Sequence, residues 1–249
     1  MALDDDARID PATLPENVEL IEEIDATIAE SEMPRKLGSP PTGEMRELMI
    51  EALGASVEEL AETLVARRAS HPLEDDLRTG LALNLARTDA AVFTEAKLRL
   101  QGWTPNLGGS DVIVVGRDGA IVLIETKWES VWQSMWDILK LASGHRHPRV
   151  AACYAVYAAK PKEWATQACA KLFEPESHGS KDTQWFLEEH EDDWARNLSG
   201  SPNVHPTMVP GAFGFETVFA RAVDCLGTVY EVRAISVRAL PSAPLRLAS

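Results

Sequence analysis

Two apolar runs separated by a short polar segment dominate the hydrophobic pattern of this chain. The first run covers residues 112–115 and the second covers 120–124, and neither alternates with polar residues. Strands that are apolar on both faces are typical of a sheet covered on both sides. Residues 117–119, Arg-Asp-Gly, are typical of a hairpin turn. The pattern therefore predicts two antiparallel strands at the centre of a sheet.

Helical and extended patterns surround this pair of strands. Apolar spacing predicts a helix over residues 72–87, and alternation predicts a strand over 91–100. The remaining predicted elements are helices at 43–53, 57–69, 129–142, 161–173 and 183–198, and strands at 111–116, 120–127, 149–159, 215–223 and 228–239. This order indicates an α/β fold, with a central mixed β-sheet flanked by helices.

The N-terminal part of the chain differs from the rest in composition. Residues 1–16 are rich in Asp, Pro and Ala, which predicts a disordered acidic arm. Residues 17–71 form a predicted helical N-terminal region, in which Ser56 and Glu59 have the spacing of a capping box. Residues 72–249 are assigned to the core domain.

The net charge of −15 is concentrated near the start of the chain. Residues 1–32 contain eleven acids and one arginine, a net of −10, which leaves −5 for the remaining residues. A weakly acidic body can still carry a basic groove, because the local field decides phosphate binding. The charge balance therefore neither requires nor excludes a nucleic-acid partner.

Several classes of protein are disfavoured by the sequence. It has no apolar stretch of the length that spans a membrane, and its acidic N-terminus does not resemble a secretory signal. The three cysteines are odd in number and far apart, so they form neither a zinc pattern nor a disulfide framework. We therefore expect a cytoplasmic protein without a membrane partner.

Charged residues stand at the ends of the two central runs. Asp111 opens the first run, and Glu125 and Lys127 close the second. Unpaired buried charge is costly, so charged residues at the ends of buried strands indicate a chemical purpose. Two carboxylates a few ångströms apart repel unless a cation lies between them. Magnesium, or manganese, is the natural occupant, because it prefers oxygen ligands and few carboxylates.

The length of the hairpin loop decides whether the two acids meet. A two-residue loop would place Asp111 opposite Thr126, with Glu125 facing away. A three-residue loop, with Gly119 in the left-handed conformation, would place Asp111 opposite Glu125 and on the same face as Lys127. We predict the three-residue loop.

The Asp111…Glu125-x-Lys127 arrangement resembles the PD-(D/E)XK nuclease superfamily. The resemblance spans roughly residues 72–160, and Ser110 stands where the family name has proline. It implies a restriction-endonuclease-like core and magnesium-dependent hydrolysis of DNA phosphodiester bonds by metal-activated water. In such a site, Lys127 would orient the attacking water and offset charge in the transition state.

The resemblance also implies further site residues. Gln133, six positions after Lys127, looks like the glutamine that several branches carry on the following helix. Glu74 is the best match for a glutamate on the first core helix that joins the metal shell, and Glu95 is a second candidate. The implied catalytic residues are Asp111, Glu125, Lys127 and Gln133, and the implied metal ligands are Asp111, Glu125, Glu74 and the carbonyl of Thr126.

Simpler readings of these residues stay open. Gln133 could be solvated helix surface, and Glu74 could be an ordinary first-turn acid favoured by the helix dipole. The whole chain could be a catalytically inactive binding or interaction module of the same fold, which the acidic balance and the lack of a basic tail favour. DNA is the expected partner, RNA stays an alternative substrate, and a homodimer stays open.

Overall fold

A mixed β-sheet with helices on both faces organises the described part of the chain in this computed structural model. The structure describes residues 43–66, 68, 72–88, 90–96, 110–116, 119–129, 134–147, 149–166, 173, 178–182 and 212–240. The helices are α1 (Gly43–Ala66), α2 (Glu74–Ala86), α3 (Ser134–Gly144) and α4 (Pro161–Thr166). The strands are β1 (Ala91–Ala96), β2 (Ser110–Val115), β3 (Ile121–Trp128), β4 (Val150–Ala159), β5 (His178–Asp182), β6 (Ala212–Cys225) and β7 (Thr228–Ala239).

The described strands form one sheet in the order β1-β2-β3-β4-β7-β6-β5. Strands β3 and β4 are parallel, and the other neighbouring pairs are antiparallel. A parallel pair needs a crossover connection, and α3 lies in the segment between β3 and β4. The predicted α/β class with a central mixed sheet and flanking helices is confirmed.

Alternation along the strands divides the apolar core between the two faces of the sheet. Ile121 and Leu123 of β3 pack with the apolar side of α3 and with Trp164 of α4. Val122 and Ile124 face the other way and pack with α1 and α2. Strand β3 is therefore buried on both faces, as its unbroken apolar run predicts.

The prediction of two helices at 43–53 and 57–69 is wrong, because the structure has one helix there, α1. It runs without interruption from Gly43 to Ala66, through residues 54–56, where the prediction separated the two helices. Ser56 does not begin a new helix, because its hydroxyl donates to the carbonyl of Ala52 one turn earlier. Glu59 accepts hydrogen bonds from Asn84 of α2 and from Arg87, the residue after α2, instead of completing a cap. Packing against α2 and the sheet overrides the local helix-breaking signal.

Other predicted boundaries differ by smaller amounts, and strand β5 is an addition that the sequence did not predict. Helix α2 begins at Glu74, because the N–H of Leu73 donates to the carboxylate of Asp76 and caps the first turn. The predicted arm at 1–16, residues 17–42 of the predicted helical region and the predicted helix at 183–198 lie outside the described residues. Within the described residues, no helix is long and apolar enough to cross a membrane.

Candidate active site

The β2–β3 hairpin places the acids of the two central strands side by side. Gly119 has a φ of 70°, and its N–H donates to the carbonyl of Gly116 at 2.8 Å. The N–H of Gly116 donates to the carbonyl of Ala120, also at 2.8 Å, which closes a three-residue loop. The predicted loop is therefore confirmed.

The register of this hairpin brings Asp111 opposite Glu125. Val115 pairs with Ile121 and Val112 pairs with Ile124, where the paired ladder ends. Extending the same register by one residue sets Asp111 opposite Glu125. Directly opposite residues of an antiparallel pair share a face of the sheet, and so do residues two apart in one strand. Asp111, Glu125 and Lys127 therefore lie on the α3 face of the sheet.

The carboxylate of Asp111 bridges from β2 to the backbone of β3. Its Oδ2 atom accepts the backbone N–H of Thr126 at 2.6 Å and the Thr126 hydroxyl at 3.1 Å. These two donors fix the orientation of the carboxylate at the end of the strand pair. Thr126 itself is fully buried.

Helix α2 contributes two charged side chains that are one turn apart. Glu74 Oε1 lies 3.0 Å from Lys127 Nζ and accepts a hydrogen bond from it. Arg78 Nη1 lies 2.7 Å from Glu95 Oε1 and 3.9 Å from Asp111 Oδ1. Residues four apart lie on the same side of a helix, so α2 presents an acid and a base to the site. Glu74 is therefore the ion-pair partner of Lys127 in this structure.

Helix α3 contributes a buried base and a buried acid. Lys140 Nζ lies 2.8 Å from Glu125 Oε1, and the side chains of these residues are 15% and 4% exposed. Asp137, three residues earlier, accepts a hydrogen bond of 2.5 Å from the Tyr157 hydroxyl. Tyr157 is in register with Lys127 across β3 and β4, so this bond ties α3 to the sheet beside the site.

Burial raises the pKa of two acids in this cluster, Glu125 and Asp137. The pKa of Glu125 rises to about 8, because loss of water outweighs the opposing effect of Lys140, and Asp111 adds to the rise. Burial also raises the pKa of Asp137, against the opposing charges of Lys140 and Lys127. Burial therefore favours the protonated form of these two carboxyl groups, and the nearby lysines oppose that effect.

The two lysines are held in their charged form by the same acids. Burial acts to lower the pKa of Lys140, but the charges of Glu125 and Asp137 outweigh it and the pKa is raised. The pKa of Lys127 is likewise raised, because Asp137 and Glu74 outweigh the effect of burial. Both ammonium groups are thus charged cations within the cluster at neutral pH.

Glu95 extends the row of acids by one strand. Thr94 pairs with Val112 and Ala96 pairs with Ser110, so Glu95 lies opposite Asp111. Its φ of 53° falls in the left-handed region, which is strained for a residue other than glycine. The ion pair with Arg78 at 2.7 Å accompanies this backbone conformation.

The site contains oxygen donors of the kind that a hard cation such as magnesium prefers. Asp111 and Glu125 are carboxylates on facing strand positions, and magnesium takes one or two protein carboxylates together with waters and substrate oxygens. Within the described residues, no group of three or more His, Cys, Asp or Glu side chains is arranged to hold a metal ion. The described side chains therefore supply a partial set of ligands, not a closed cage.

Sequence reasoning identified part of this cluster and missed part of it. Asp111, Glu125, Lys127 and Glu74 come together, whereas Gln133 lies outside the described residues. Asp137 and Lys140 were missed as members, although they are three residues apart in α3 and so lie on one side of that helix. Arg78 was also missed, four positions after Glu74.

No protein-family model, curated protein or solved structure matches this chain. The roles assigned to the residues of the site therefore stay predictions, and they depend on the chemistry of the side chains and on the geometry described above.

Proposed function

We propose that the protein is a metal-dependent nuclease of the PD-(D/E)XK type, with a restriction-endonuclease-like core, that hydrolyses phosphodiester bonds of DNA. The observation that carries the proposal is the register of the β2–β3 hairpin. It sets Asp111 opposite Glu125 and leaves Lys127 on the same face. A shift of one residue in this hairpin would have separated the two acids.

The proposal assigns a role to each residue of the cluster. Asp111 and Glu125 bind a magnesium or manganese ion, with the carbonyl of Thr126 and Glu74 as further oxygen donors. Such an ion, when bound, polarises the phosphate and makes a bound water more acidic. The remaining catalytic residues are Lys127, which orients the attacking water and offsets developing negative charge, and Gln133, which supports the site.

The contact between Lys127 and Glu74 supports the role of the lysine. An ammonium held at 3.0 Å by a carboxylate has a fixed position, which is what the orientation of a water molecule requires. The raised pKa of Lys127 means that this group stays positively charged at neutral pH. It can therefore stabilise charge that develops on a phosphate oxygen.

A cleavage assay with matched variants tests the proposal. The purified protein should nick or degrade DNA in the presence of magnesium or manganese, and Lys127→Ala should reduce the rate at least 100-fold, the order expected for loss of such a group. Lys160→Ala is the control, because Lys160 is a more exposed lysine that pairs with Glu129. Circular dichroism should show that both variants keep the fold. Cleavage by Lys127→Ala at the wild-type rate would contradict the assigned role.

A catalytically inactive binding module is the second candidate, and one observation favours it. Glu125 already pairs with Lys140, and Asp111 already accepts two hydrogen bonds from Thr126. A module that no longer uses a metal would satisfy its acids internally in this way. Calorimetric titration with manganese separates the candidates, since the nuclease requires binding that Asp111→Asn weakens and the inactive module requires none.

A further inference from the structure

The base on helix α3 has a position that the proposed reaction does not require. Lys140 is a lysine of the described core whose ammonium is directed at Glu125, 2.8 Å away, with little exposure of either side chain. The charges that act on it come from Glu125, Asp137 and Asp111. A lysine that is removed from water in this way is stable only because carboxylates surround it.

The two acids of the hairpin differ in how their charge is balanced. Glu125 has an ammonium at hydrogen-bonding distance. Asp111 accepts the N–H and the hydroxyl of Thr126, which are neutral donors, and the Arg78 guanidinium lies at 3.9 Å. Internal positive charge is therefore close at Glu125 and more distant at Asp111. A divalent cation would be attracted chiefly to the Asp111 side of the pair.

Many metal-dependent phosphodiesterases hold two divalent ions about 4 Å apart. The Lys140 ammonium, 2.8 Å from Glu125, occupies volume that one of those ions would need at this acid and supplies half of the charge of such an ion. It also repels any further cation at that acid. The proposed nuclease activity leaves the number of metal ions open, and the position of Lys140 bears on that number.

We propose that Lys140 is a built-in cation that replaces a second divalent ion at Glu125, so that the site binds one metal ion per chain. This inference rests on the proposed metal-dependent function. It makes Lys140 a positioning residue: it fixes the Glu125 carboxylate and excludes a second ion.

The number of bound ions tests the inference directly. Full-length wild-type protein titrated with Mn²⁺ should bind one ion per chain, and Asp111→Asn should weaken that binding at least tenfold. Lys140→Met removes the ammonium and keeps a side chain of similar length, so this variant should bind two Mn²⁺ ions per chain. Lys160→Met makes the same change of charge at the more exposed Glu129 pair and should still bind one. Two ions about 4 Å apart also give a spin-coupled electron paramagnetic resonance signal, which is expected for Lys140→Met alone.

A second variant keeps the inference testable if Lys140→Met fails to fold. Glu125→Gln/Lys140→Met removes both charges of the buried pair, so Glu125 is not left as a charged group without its partner, and this variant should bind at most one ion. A folded Lys140→Met protein that binds a single Mn²⁺ overturns the inference. Wild-type protein that binds two ions in an Asp111-dependent manner overturns it without any Lys140 variant.

The inference and the proposed function can fail separately. One ion in the wild type and two in Lys140→Met, without DNA cleavage by either, would support the role of Lys140 and contradict the nuclease. DNA cleavage by a wild-type protein that holds two ions would support the nuclease and contradict the role of Lys140. Absence of Mn²⁺ binding by both proteins would contradict both proposals.

Discussion

The imidazole of His145 lies in the core immediately after helix α3, and it is 3% exposed. Its Nδ1 atom accepts the backbone N–H of Ala239 at 3.3 Å, which requires the other ring nitrogen to carry the proton of the neutral form. Burial lowers the pKa of His145 from 6.5 to about 4, and the nearby positive charge of Arg238 adds to the effect. The fold therefore holds this residue neutral.

A pH dependence of stability follows from this lowered pKa. Well above pH 6.5 the ring is neutral in both the folded and the unfolded states, so it does not make the free energy of unfolding depend on pH. As the pH falls from about 6.5 to 4, the unfolded chain binds a proton that the folded protein resists, so the free energy of unfolding decreases by roughly 3 kcal/mol. Denaturant unfolding of wild type and His145→Asn over this range measures the effect.

The comparison with His145→Asn isolates the histidine from other titrating groups. The Asn side-chain oxygen can accept the N–H of Ala239, and the amide does not titrate. Subtraction of the two stability curves removes the contributions of the other titrating groups, which both proteins share. Parallel curves from pH 7 to pH 4 would contradict the assignment.

The residues that sequence reasoning missed at the site share one physical cause. Asp137 and Lys140 lie opposite the apolar side of their helix, a position that in most surface helices is solvated. In this fold that side meets the end of strand β3, and the two charges pair with Glu125, Lys127 and Tyr157. The helical period was readable from the sequence, but the element facing that side depends on tertiary packing.

At the level of elements, the β2–β3 hairpin was predictable because several local signals agreed. Both strands are continuously apolar, and a glycine stands at the position that needs a positive φ in a three-residue loop. Strand β5 was not predictable, since its sequence His-Gly-Ser-Lys-Asp has neither alternation nor β-branched residues. It forms by pairing with β6, which already has a long partner in β7.

A pair of glycine substitutions tests the importance of the hairpin loop. Gly119 and Gly227 both have positive φ, at 70° and 87°, and each lies in a tight turn between antiparallel strands. Gly119→Ala and Gly227→Ala should each lower the free energy of unfolding by about 1 kcal/mol, because a Cβ atom is strained in this conformation. Only Gly119→Ala should also weaken Mn²⁺ binding severalfold, since only that loop sets Asp111 against Glu125.

The Gly227 variant is a close control because its turn has space for the added atom. A Cβ atom at Gly227 would meet no heavy atom within 4 Å, so the change reports backbone strain alone. Equal effects of the two variants on Mn²⁺ binding would contradict the link between loop geometry and the site. Gly119→Asn should be milder than Gly119→Ala, because Asn tolerates the left-handed region better.

At the scale of the whole molecule, α1 is part of the same core as the sheet. Its buried side chains pack with α2 and with apolar residues of β2, β3 and β4. Ion pairs from Glu58 to Arg221 and from Arg46 to Glu216 also join the helix to β6. The predicted boundary at residue 72 therefore falls within a continuous apolar core, which the helical periodicity of the region did not reveal.

Truncation at that boundary should abolish folding. A fragment of residues 72–249 lacks the apolar side chains of α1, of which Met49, Leu53, Leu60 and Leu64 are at most 2% exposed. Burial of each such side chain contributes about 1.5–3 kcal/mol, and the sum approaches the whole stability of a typical domain, about 5–15 kcal/mol. Thermal unfolding followed by circular dichroism should therefore show no cooperative transition for this fragment.

A shorter truncation separates the loss of this packing from the loss of chain length. A fragment of residues 33–249 keeps all of α1 and removes the segment that carries a net charge of −10. Since the described core begins at Gly43, both this fragment and the full chain should unfold cooperatively. A cooperative transition in residues 72–249 would mean that the sheet and its remaining helices are stable alone, and that α1 is an appendage despite its burial. With that outcome, the fragment of residues 72–249 would also be the simplest protein in which to count the metal ions at the site.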